Sequence, residues 1–297
     1  MNEKTGVTYI DRASGCECVE SVMGDKALRF AYETALGRSL WAILFGSSFC
    51  SKMMGRYYDS PRSKKKISAL ASIPGCDASE AEKPLAEYAS FNEFFIRKLR
   101  TGARKADMAP EVLSSPGDGR MSIYCDIMPD QPISVKGSTR PLGELCGGKL
   151  PEKPFHVAVL RLAPVDYHRY HFPCDCVQDA ETFKIAGRYH SVNPIALKRR
   201  PDVFVENTRQ ITVLESPVFG TFYQIEVGAF GVGSIIQTSG TGEHRKLDEK
   251  GYFKFGGSTV ILVLESSKID FSSDLLQASA AGKEVRLKMG DTIGVAR

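Results

Sequence analysis

The sequence lacks the features that mark a secreted, membrane-spanning or repeat protein. Its first twenty residues are polar and of mixed charge, so we expect no secretory signal peptide in them. The apolar run at residues 40–45 is far shorter than the roughly 20 residues of a membrane-spanning helix. We find no long internal repeat and no low-complexity segment. The sequence therefore favours a globular protein that does not span a bilayer.

Zinc-binding cysteine spacing is also missing, although the chain contains eight cysteines. Two C-x-C pairs occur, at Cys16/Cys18 and at Cys174/Cys176, but no C-x-x-C or matching histidine pair completes a zinc pattern. We therefore expect no bound metal. Without a signal peptide, reduced thiols in the cytosol are the expected state of the cysteines.

The composition is that of a globular chain, with 42% apolar and 25% charged residues. Its 297 residues can form one large domain or two smaller ones. The net charge of +4 is a weak bias, which does not favour nucleic acid and is compatible with an anionic lipid surface.

The first hundred residues are predicted to be mostly helical. Apolar side chains recur at helical spacing over residues 25–36, and a second apolar run begins at Leu40 and continues to Met54. Basic residues flank the second run, which contains tryptophan and phenylalanine. A pair of amphipathic helices over residues 25–58 therefore suits a membrane interface, and packing against the protein's own core is the alternative.

A further helix is predicted to begin at Ser90, because Ser90 and Glu93 have the spacing of a capping box. Beyond residue 105 the pattern changes to short strands separated by glycine and proline. We therefore expect an α+β protein with a helical, membrane-docking segment at residues 1–105. A β-rich, sandwich-like or barrel-like catalytic domain would follow at residues 106–297.

Two strands are predicted with defined bounds. Residues 155–162 form a continuous apolar run with only two basic interruptions. Residues 221–227 alternate with a period of two, which puts Gln224 and Glu226 on one face of the strand.

An unusual small-residue pattern, Gly256-Gly257-Ser258-Thr259, separates two strand-like runs. Such a sequence is ordinarily a turn, because glycine adopts positive φ without steric cost. Here the long, apolar, β-branched flanks predict that the small residues lie inside buried β structure. A carbonyl on Gly257 beside the Ser258 hydroxyl would permit self-cleavage if a base were available.

Two other segments contain candidate acid and base groups. Residues 163–173 follow the predicted strand and include His168 and His171, at a spacing that could bind a metal. No third ligand is evident, and Arg169 between them disfavours a cation, so a general base is the better interpretation. Asp118, which by itself indicates an Asp-Gly turn, could orient that base beside a serine nucleophile.

Six stretches together resemble the phosphatidylserine decarboxylases, in the class with a Gly-Gly-Ser-Thr rather than a Leu-Gly-Ser-Thr processing site. They appear in the family's order and cover the chain from about residue 90 to residue 265. The N-terminal ninety residues match only in general character. The six stretches are residues 91–99, 115–119, 166–173, 191–194, 232–235 and 253–260.

The resemblance implies a self-processing triad of Asp118, His171 and Ser258. His171 would take the proton of Ser258, which attacks the Gly257 carbonyl, while Asp118 orients the imidazole. Cleavage would leave a β chain of residues 1–257 and an α chain of residues 258–297. Ser258, now the N-terminus of the α chain, would become a covalent pyruvoyl group.

The same resemblance implies the reaction and its location. The pyruvoyl group would form a Schiff base with phosphatidylserine and act as the electron sink for loss of CO₂, giving phosphatidylethanolamine. His168 is assigned to this step, in positioning the substrate or protonating the product carbanion. A lipid substrate also favours the interfacial helices, and peripheral attachment at the cytoplasmic side of the cell membrane. Lys136, Asn193 and Arg209 are headgroup candidates from polarity and position alone.

Two other functions are compatible with the same residues. A Ser-His-Asp lipid hydrolase would need no self-cleavage, but Val260 stands where the Gly-x-Ser-x-Gly elbow requires its last glycine. A non-catalytic lipid-binding relative would show neither processing nor any dependence on His171. Within the enzyme interpretation, the serine headgroup could belong to another polar lipid, such as an ether lipid.

Overall fold

A computed structural model describes most of the chain. The described residues are 8–20, 30, 34, 48–132, 139–148, 150–192, 197, 201–229, 235–256 and 258–297. The predicted helix at residues 25–36 lies almost entirely outside them, and so does Gly257.

Strands are the main element of the described residues. Their bounds are β1 Thr8–Asp11, β2 Glu17–Val19, β3 Val112–Ser114, β4 Gly119–Ile127, β5 Phe155–Leu162, β6 Arg169–His171, β7 Cys176–Gln178, β8 Phe183–Ile185, β9 Arg209–Ser216, β10 Gly220–Gly228, β11 Ile235–Gln237, β12 Gly242–His244, β13 Glu249–Phe253, β14 Ser258–Glu265, β15 Ile269–Phe271, β16 Glu284–Leu287 and β17 Thr292–Ala296.

The described helices are short. They are α1 Ser48–Asp59, α2 Ile67–Ala71, α3 Phe91–Phe95, α4 Leu142–Leu145, α5 Val203–Glu206 and α6 Ser273–Ala280, with 3₁₀ turns at Pro61–Lys66, Ala78–Glu80, Leu85–Glu87 and Ser266–Lys268. None of the helices among the described residues is long and apolar enough to cross a membrane.

The predicted α+β class is confirmed, and its β part is built on one large sheet. The strands of this sheet run in the order β12-β7-β9-β10-β14-β5-β4-β16-β1-β2, with β8 also paired to β9. Two three-stranded sheets, β11-β13-β6 and β15-β17-β3, accompany it. The two predicted strands are confirmed as β5, with the expected bounds, and as the centre of β10.

Strand β14 lies in the interior of the large sheet, between β10 and β5 and antiparallel to both. Side chains alternate along it between two cores. Val260, Leu262 and Leu264 pack in one core, and Ile261 and Val263 pack in the other. Because both faces are covered, β14 is a nearly continuous apolar run rather than an alternating one.

The period-two pattern of β10 is present, but its polar face is not solvated. Gln224 and Glu226 are both fully buried. The Glu226 carboxylate pairs with Lys250 Nζ of β13 at 3.0 Å, inside the protein. The ion pair therefore joins the large sheet to the strand that leads towards residue 257.

The N-terminal hundred residues contain strands as well as helices, which differs from the mostly helical prediction. Strand β1 pairs with β16 and with β2, so it extends the large sheet. Such short strands, of four and three residues, carry too little periodicity to be recognised from sequence.

Helix α3 begins where the capping box predicts. The Glu93 N–H donates to Ser90 Oγ at 3.2 Å, and the Glu93 carboxylate accepts the Ala89 N–H at 2.6 Å. Phe91, Phe94 and Phe95 of this helix are buried in a third apolar cluster, formed mainly by residues 58–96. This cluster also contacts Phe255, just before the proposed cleavage position.

Candidate active site

Ser258 is the first residue of β14 and its side chain is fully buried. Its cross-strand neighbours are Gly228 at the end of β10 and Leu162 at the end of β5. The hydroxyl Oγ lies 3.2 Å from Nδ1 of His168. The structure therefore brings together two of the residues that the sequence singled out, 90 positions apart.

The hydrogen bonds of His168 determine which ring nitrogen carries its proton. Nε2 lies 3.0 Å from the carbonyl oxygen of Ala163, and a carbonyl can only accept. Nε2 is therefore protonated, so Nδ1 has a free lone pair that accepts the hydroxyl hydrogen of Ser258. Burial, together with the positive charge of Arg97, lowers the pKa of His168 to about 3. The imidazole is thus neutral at physiological pH.

The turn that presents His168 is held by a buried carboxylate. Asp166 accepts the Ala163 N–H at 2.7 Å, which closes the turn after β5. The guanidinium of Arg120 on β4 forms a buried ion pair with the same carboxylate. The turn is therefore anchored to the large sheet at the end where Ser258 begins.

Residues of the α3 segment hold the other side of this turn. Arg97 Nη2 donates to the Val165 carbonyl at 3.3 Å. The ring of Phe95 stacks on the His168 imidazole, with centroids 3.8 Å apart and an angle of 22° between the planes. Sequence reasoning treated this segment only as a helix that begins at Ser90, so these contacts were missed. The one signal in the sequence was that residues 91–99 are among the six stretches that resemble the family.

His171 is hydrogen-bonded at both ring nitrogens. Nδ1 lies 2.8 Å from the Leu247 carbonyl and must carry the proton, so Nε2 accepts from the Tyr167 hydroxyl at 3.1 Å. Burial lowers the pKa of His171. Leu247 has a φ of +68°, unusual for a bulky residue, and this backbone conformation presents its carbonyl to His171.

Asp118 immediately precedes β4 and pairs with Arg104. Its carboxylate accepts from Arg104 Nη2 at 2.6 Å and from the Met289 N–H at 2.8 Å. Burial raises the pKa of Asp118, and both donors oppose that rise. The Asp118 loop is adjacent to the second histidine, since the His171 N–H donates to the Pro116 carbonyl at 2.8 Å.

The structure thus assembles the predicted residues only in part. Ser258 and His168 are in direct contact. Within the described residues, no hydrogen bond joins His171 to Ser258 or to Asp118, although the three segments meet at the same end of the large sheet.

The remaining candidates fall into two groups. Lys136 and Asn193 lie outside the described residues. Arg209 is buried, and its guanidinium donates to the carbonyls of Leu145 and Glu144. These hydrogen bonds hold the end of helix α4, which contains Leu145 and Glu144, and none of them connects Arg209 to Ser258. In the described ranges, no group of three or more histidine, cysteine or acidic side chains is arranged to hold a metal ion.

The backbone before Ser258 requires glycine. Gly256 has a φ of +152°, a conformation that residues with a Cβ rarely adopt. Ser258 therefore follows a glycine-dependent kink in the backbone, and its hydroxyl is buried rather than exposed to solvent.

Comparison with known proteins gives a consistent result. The family model described as phosphatidylserine decarboxylase matches residues 91–295. A phosphatidylserine decarboxylase proenzyme of Clostridium botulinum (strain Alaska E43 / Type E3) is 42% identical over 279 residues, covering 93% of this chain and 94% of the relative. The proenzyme of Fusobacterium nucleatum is 39% identical over 292 residues, covering 97% of each chain. That of Desulfitobacterium hafniense (strain Y51) is 40% identical over 297 residues, covering 97% of this chain and 98% of the relative.

Proposed function

The chain belongs to the phosphatidylserine decarboxylase family, and we propose that it decarboxylates phosphatidylserine to phosphatidylethanolamine after cleaving itself between Gly257 and Ser258. The observation that carries this proposal is the buried hydrogen bond from the Ser258 hydroxyl to the neutral Nδ1 of His168, at the start of an interior strand. The names of the relatives, all proenzymes, agree with a chain that is processed before it acts.

Self-cleavage uses only groups of this chain and one water molecule. Ser258 Oγ attacks the Gly257 carbonyl carbon, and the peptide C–N bond breaks as the new ester C–O bond forms. β-Elimination then removes the Cα proton of residue 258, breaks its Cβ–O bond and releases the Gly257 carboxylate, which leaves dehydroalanine at position 258. Hydrolysis of the remaining dehydroalanine, with loss of ammonia, leaves a pyruvoyl group at position 258. The buried hydroxyl and the Gly256 kink support this assignment.

His168 and His171 differ in how well each could act as the base. Burial, helped by the positive charge of Arg97, lowers the pKa of His168 to about 3 and so disfavours its protonated form. We therefore assign His168 to orienting the Ser258 hydroxyl. His171 keeps the role of base, with Asp118 as its supporting acid. It can accept the proton only after Nε2 is released by the hydroxyl of Tyr167. A small movement of the β6 segment is therefore part of the proposal.

The pyruvoyl group would supply the electron sink for loss of CO₂. Loss of the hydroxyl on processing removes the hydrogen-bond donor of His168, so Nδ1 then faces the position where substrate is bound. His168 accordingly positions the substrate or moves the proton at the product carbon. Buried Arg97, which donates to the Val165 carbonyl beside His168, provides a positive charge for a lipid that carries a carboxylate and a phosphate.

We further propose that the α and β chains remain associated, and that the protein is attached peripherally to the cytoplasmic side of the cell membrane. Helix α1 exposes Met53 and Tyr57, and the 3₁₀ turn after it exposes Lys64, Lys65 and Lys66. Apolar side chains beside a lysine cluster suit an anionic lipid surface.

Intact mass spectrometry of purified wild-type protein and of Ser258→Ala tests the function. The wild type should give two chains, the smaller one beginning with a pyruvoyl group at position 258. The Ser258→Ala variant should remain a single chain of 32.6 kDa without decarboxylase activity.

Ser266 offers a matched control, because it is another buried serine whose hydroxyl contacts a histidine, Nδ1 of His156, at 3.1 Å. It follows the other end of β14, so Ser266→Ala should be cleaved normally. An uncleaved wild type with esterase activity would instead favour the lipid hydrolase, and cleavage of Ser258→Ala would refute the proposed site.

A further inference from the structure

The segment just before the proposed cleavage position is held by a buried amide, Asn92. The Phe255 N–H donates to Asn92 Oδ1 at 2.9 Å. On its other side, Asn92 Nδ2 donates to Asp59 Oδ1, also at 2.9 Å. The side chain is 1% exposed, so both ends of the amide are satisfied by the protein itself. Asn92 thus links helix α1 to the backbone two residues before Gly257.

Asp59 extends this link to the neighbouring residue of the same segment. Its carboxylate pairs with Lys254 Nζ at 3.0 Å while it accepts from Asn92. Two successive residues are therefore bound from one side, Lys254 through its side chain and Phe255 through its backbone. The contacts form between residues separated by more than 160 positions.

The Phe255 ring is packed within an aromatic group. Its centroid lies 4.4 Å from that of Tyr58, 4.9 Å from Phe91 and 5.2 Å from Phe95. Phe95 is the ring that stacks on His168. The same aromatic group therefore positions both the segment before the cleaved bond and the imidazole that contacts Ser258.

We propose that Asn92 is a positioning residue for self-cleavage, which fixes the backbone at Phe255 so that the Gly257 carbonyl meets Ser258 Oγ. This inference rests on the proposed function. Two glycines follow Phe255, and glycine has the widest backbone freedom of any residue. Intramolecular attack depends on holding the reacting atoms close and aligned, so an anchor immediately before the glycines restricts them to a productive arrangement.

The polarity of Asn92 supports this role over simple packing. It is a buried residue of α3 beside the buried Phe91, Phe94 and Phe95 in sequence, and an apolar side chain there would avoid the cost of burying an amide. Asn92 Oδ1 instead accepts the backbone N–H of Phe255. The buried amide therefore holds the segment that leads to the cleaved bond.

The first test is the rate of precursor loss after cell-free synthesis, followed on a denaturing gel. Asn92→Ala removes both hydrogen bonds and should slow cleavage roughly tenfold to a hundredfold, the usual effect of misplacing reacting groups by about 1 Å. Ser63→Ala is the matched control. Ser63 is a fully buried residue that accepts the Phe91 N–H at 2.9 Å and has no bond to residues 254–255.

A second test uses an exchange of the two interacting side chains. Asn92→Asp alone would place its carboxylate against that of Asp59, and the repulsion should slow cleavage. The double variant Asn92→Asp with Asp59→Asn restores an acceptor for the Phe255 N–H and a donor on residue 59. It should recover most of the wild-type rate. Melting temperatures of all variants, measured in the Ser258→Ala background, separate slower cleavage from poorer folding.

The outcomes are distinguishable. Slow cleavage of Asn92→Ala at a melting temperature no lower than that of Ser63→Ala, with normal cleavage of Ser63→Ala and rescue by the exchange, supports the positioning role. Cleavage of Asn92→Ala at the wild-type rate overturns it, and so does a slowing that follows the melting temperature equally in both alanine variants. If the wild type itself is never cleaved, the proposed function fails first.

Discussion

At the scale of single residues, two neighbouring histidines have opposite hydrogen-bonding arrangements. His168 carries its proton on Nε2 and offers Nδ1 to Ser258, whereas His171 carries its proton on Nδ1 and offers Nε2 to Tyr167. The difference arises from which backbone carbonyl each ring meets. Sequence patterns did not reveal the difference, because Leu247 meets His171 through the tertiary fold and Ala163 meets His168 through the conformation of the turn after β5.

This arrangement predicts different effects for the two alanine variants. His171→Ala should block processing, because the proposed base is lost. His168→Ala should still be cleaved, more slowly, and should then decarboxylate poorly, since an imidazole with a pKa of about 3 orients better than it accepts protons. Gel analysis and a CO₂-release assay on the same samples measure both steps. If His168→Ala were not cleaved at all, the base would be His168 rather than His171.

Burial of the neutral His168 also predicts a pH dependence of stability. Its pKa is lowered to about 3 in the folded protein, by burial first, against about 6.5 in an unfolded chain. Below about pH 6.5 the unfolded state therefore binds a proton that the folded state does not. The free energy of unfolding should fall by about 2 kcal/mol from this group between about pH 7 and pH 5.

Denaturant unfolding in the Ser258→Ala background measures this effect. Replacing His168 with glutamine should make the decline with acidity shallower by about one bound proton. His171, whose pKa is lowered in the same direction, should retain its own share of the slope. Parallel pH profiles for the two proteins would contradict a neutral, buried His168.

At the scale of elements, apolar runs were the most predictive feature. Strand β5 has the bounds expected from its apolar run. The small-residue pattern at 256–259 begins between β13 and β14 and ends inside β14, whose first residues are Ser258 and Thr259. Strands β1 and β2 were not predicted, because they have only four and three residues and because β16, the partner of β1, is more than 260 positions away. The start of helix α3 was predicted from its capping box, and the helix ends at Phe95 after only five residues.

The polar residues of β10 show where pattern reasoning reaches its limit. Alternation identified the face of Gln224 and Glu226 correctly, but it could not reveal that this face is buried. Lys250, on a strand of another sheet, provides the opposite charge that makes burial of Glu226 tolerable. The partner of a buried charge is a property of the assembled fold, so neither strand discloses it alone.

At the scale of the whole molecule, the proposed α chain is interleaved with the β chain. β14 pairs on both sides with strands of the β chain, and β16 lies between β1 and β4. Strand β17 pairs with β3 as well. A cut before Ser258 therefore leaves the hydrogen bonds and both cores of the large sheet in place, which explains how the processed protein would stay assembled.

Membrane docking is the remaining whole-molecule question, and the fold decides how to test it. Deleting residues 25–58 would also remove Tyr58, whose ring contacts both Phe91 and Phe255. Such a deletion would disturb the cleavage segment together with any docking surface. A point substitution on the exposed face of α1 separates the two effects.

Met53 provides that substitution, and Met108 provides its control, since both side chains are 59% exposed. Met53 lies four residues before the exposed Tyr57 and near the lysine cluster, whereas Met108 lies in the loop before β3. Met53→Glu should weaken binding to phosphatidylserine vesicles about tenfold, from lost apolar burial and added repulsion. Met108→Glu should bind as the wild type does in the same sedimentation assay. Equal binding by all three proteins would remove α1 from the docking surface, while leaving self-cleavage and the Ser258 site unaffected.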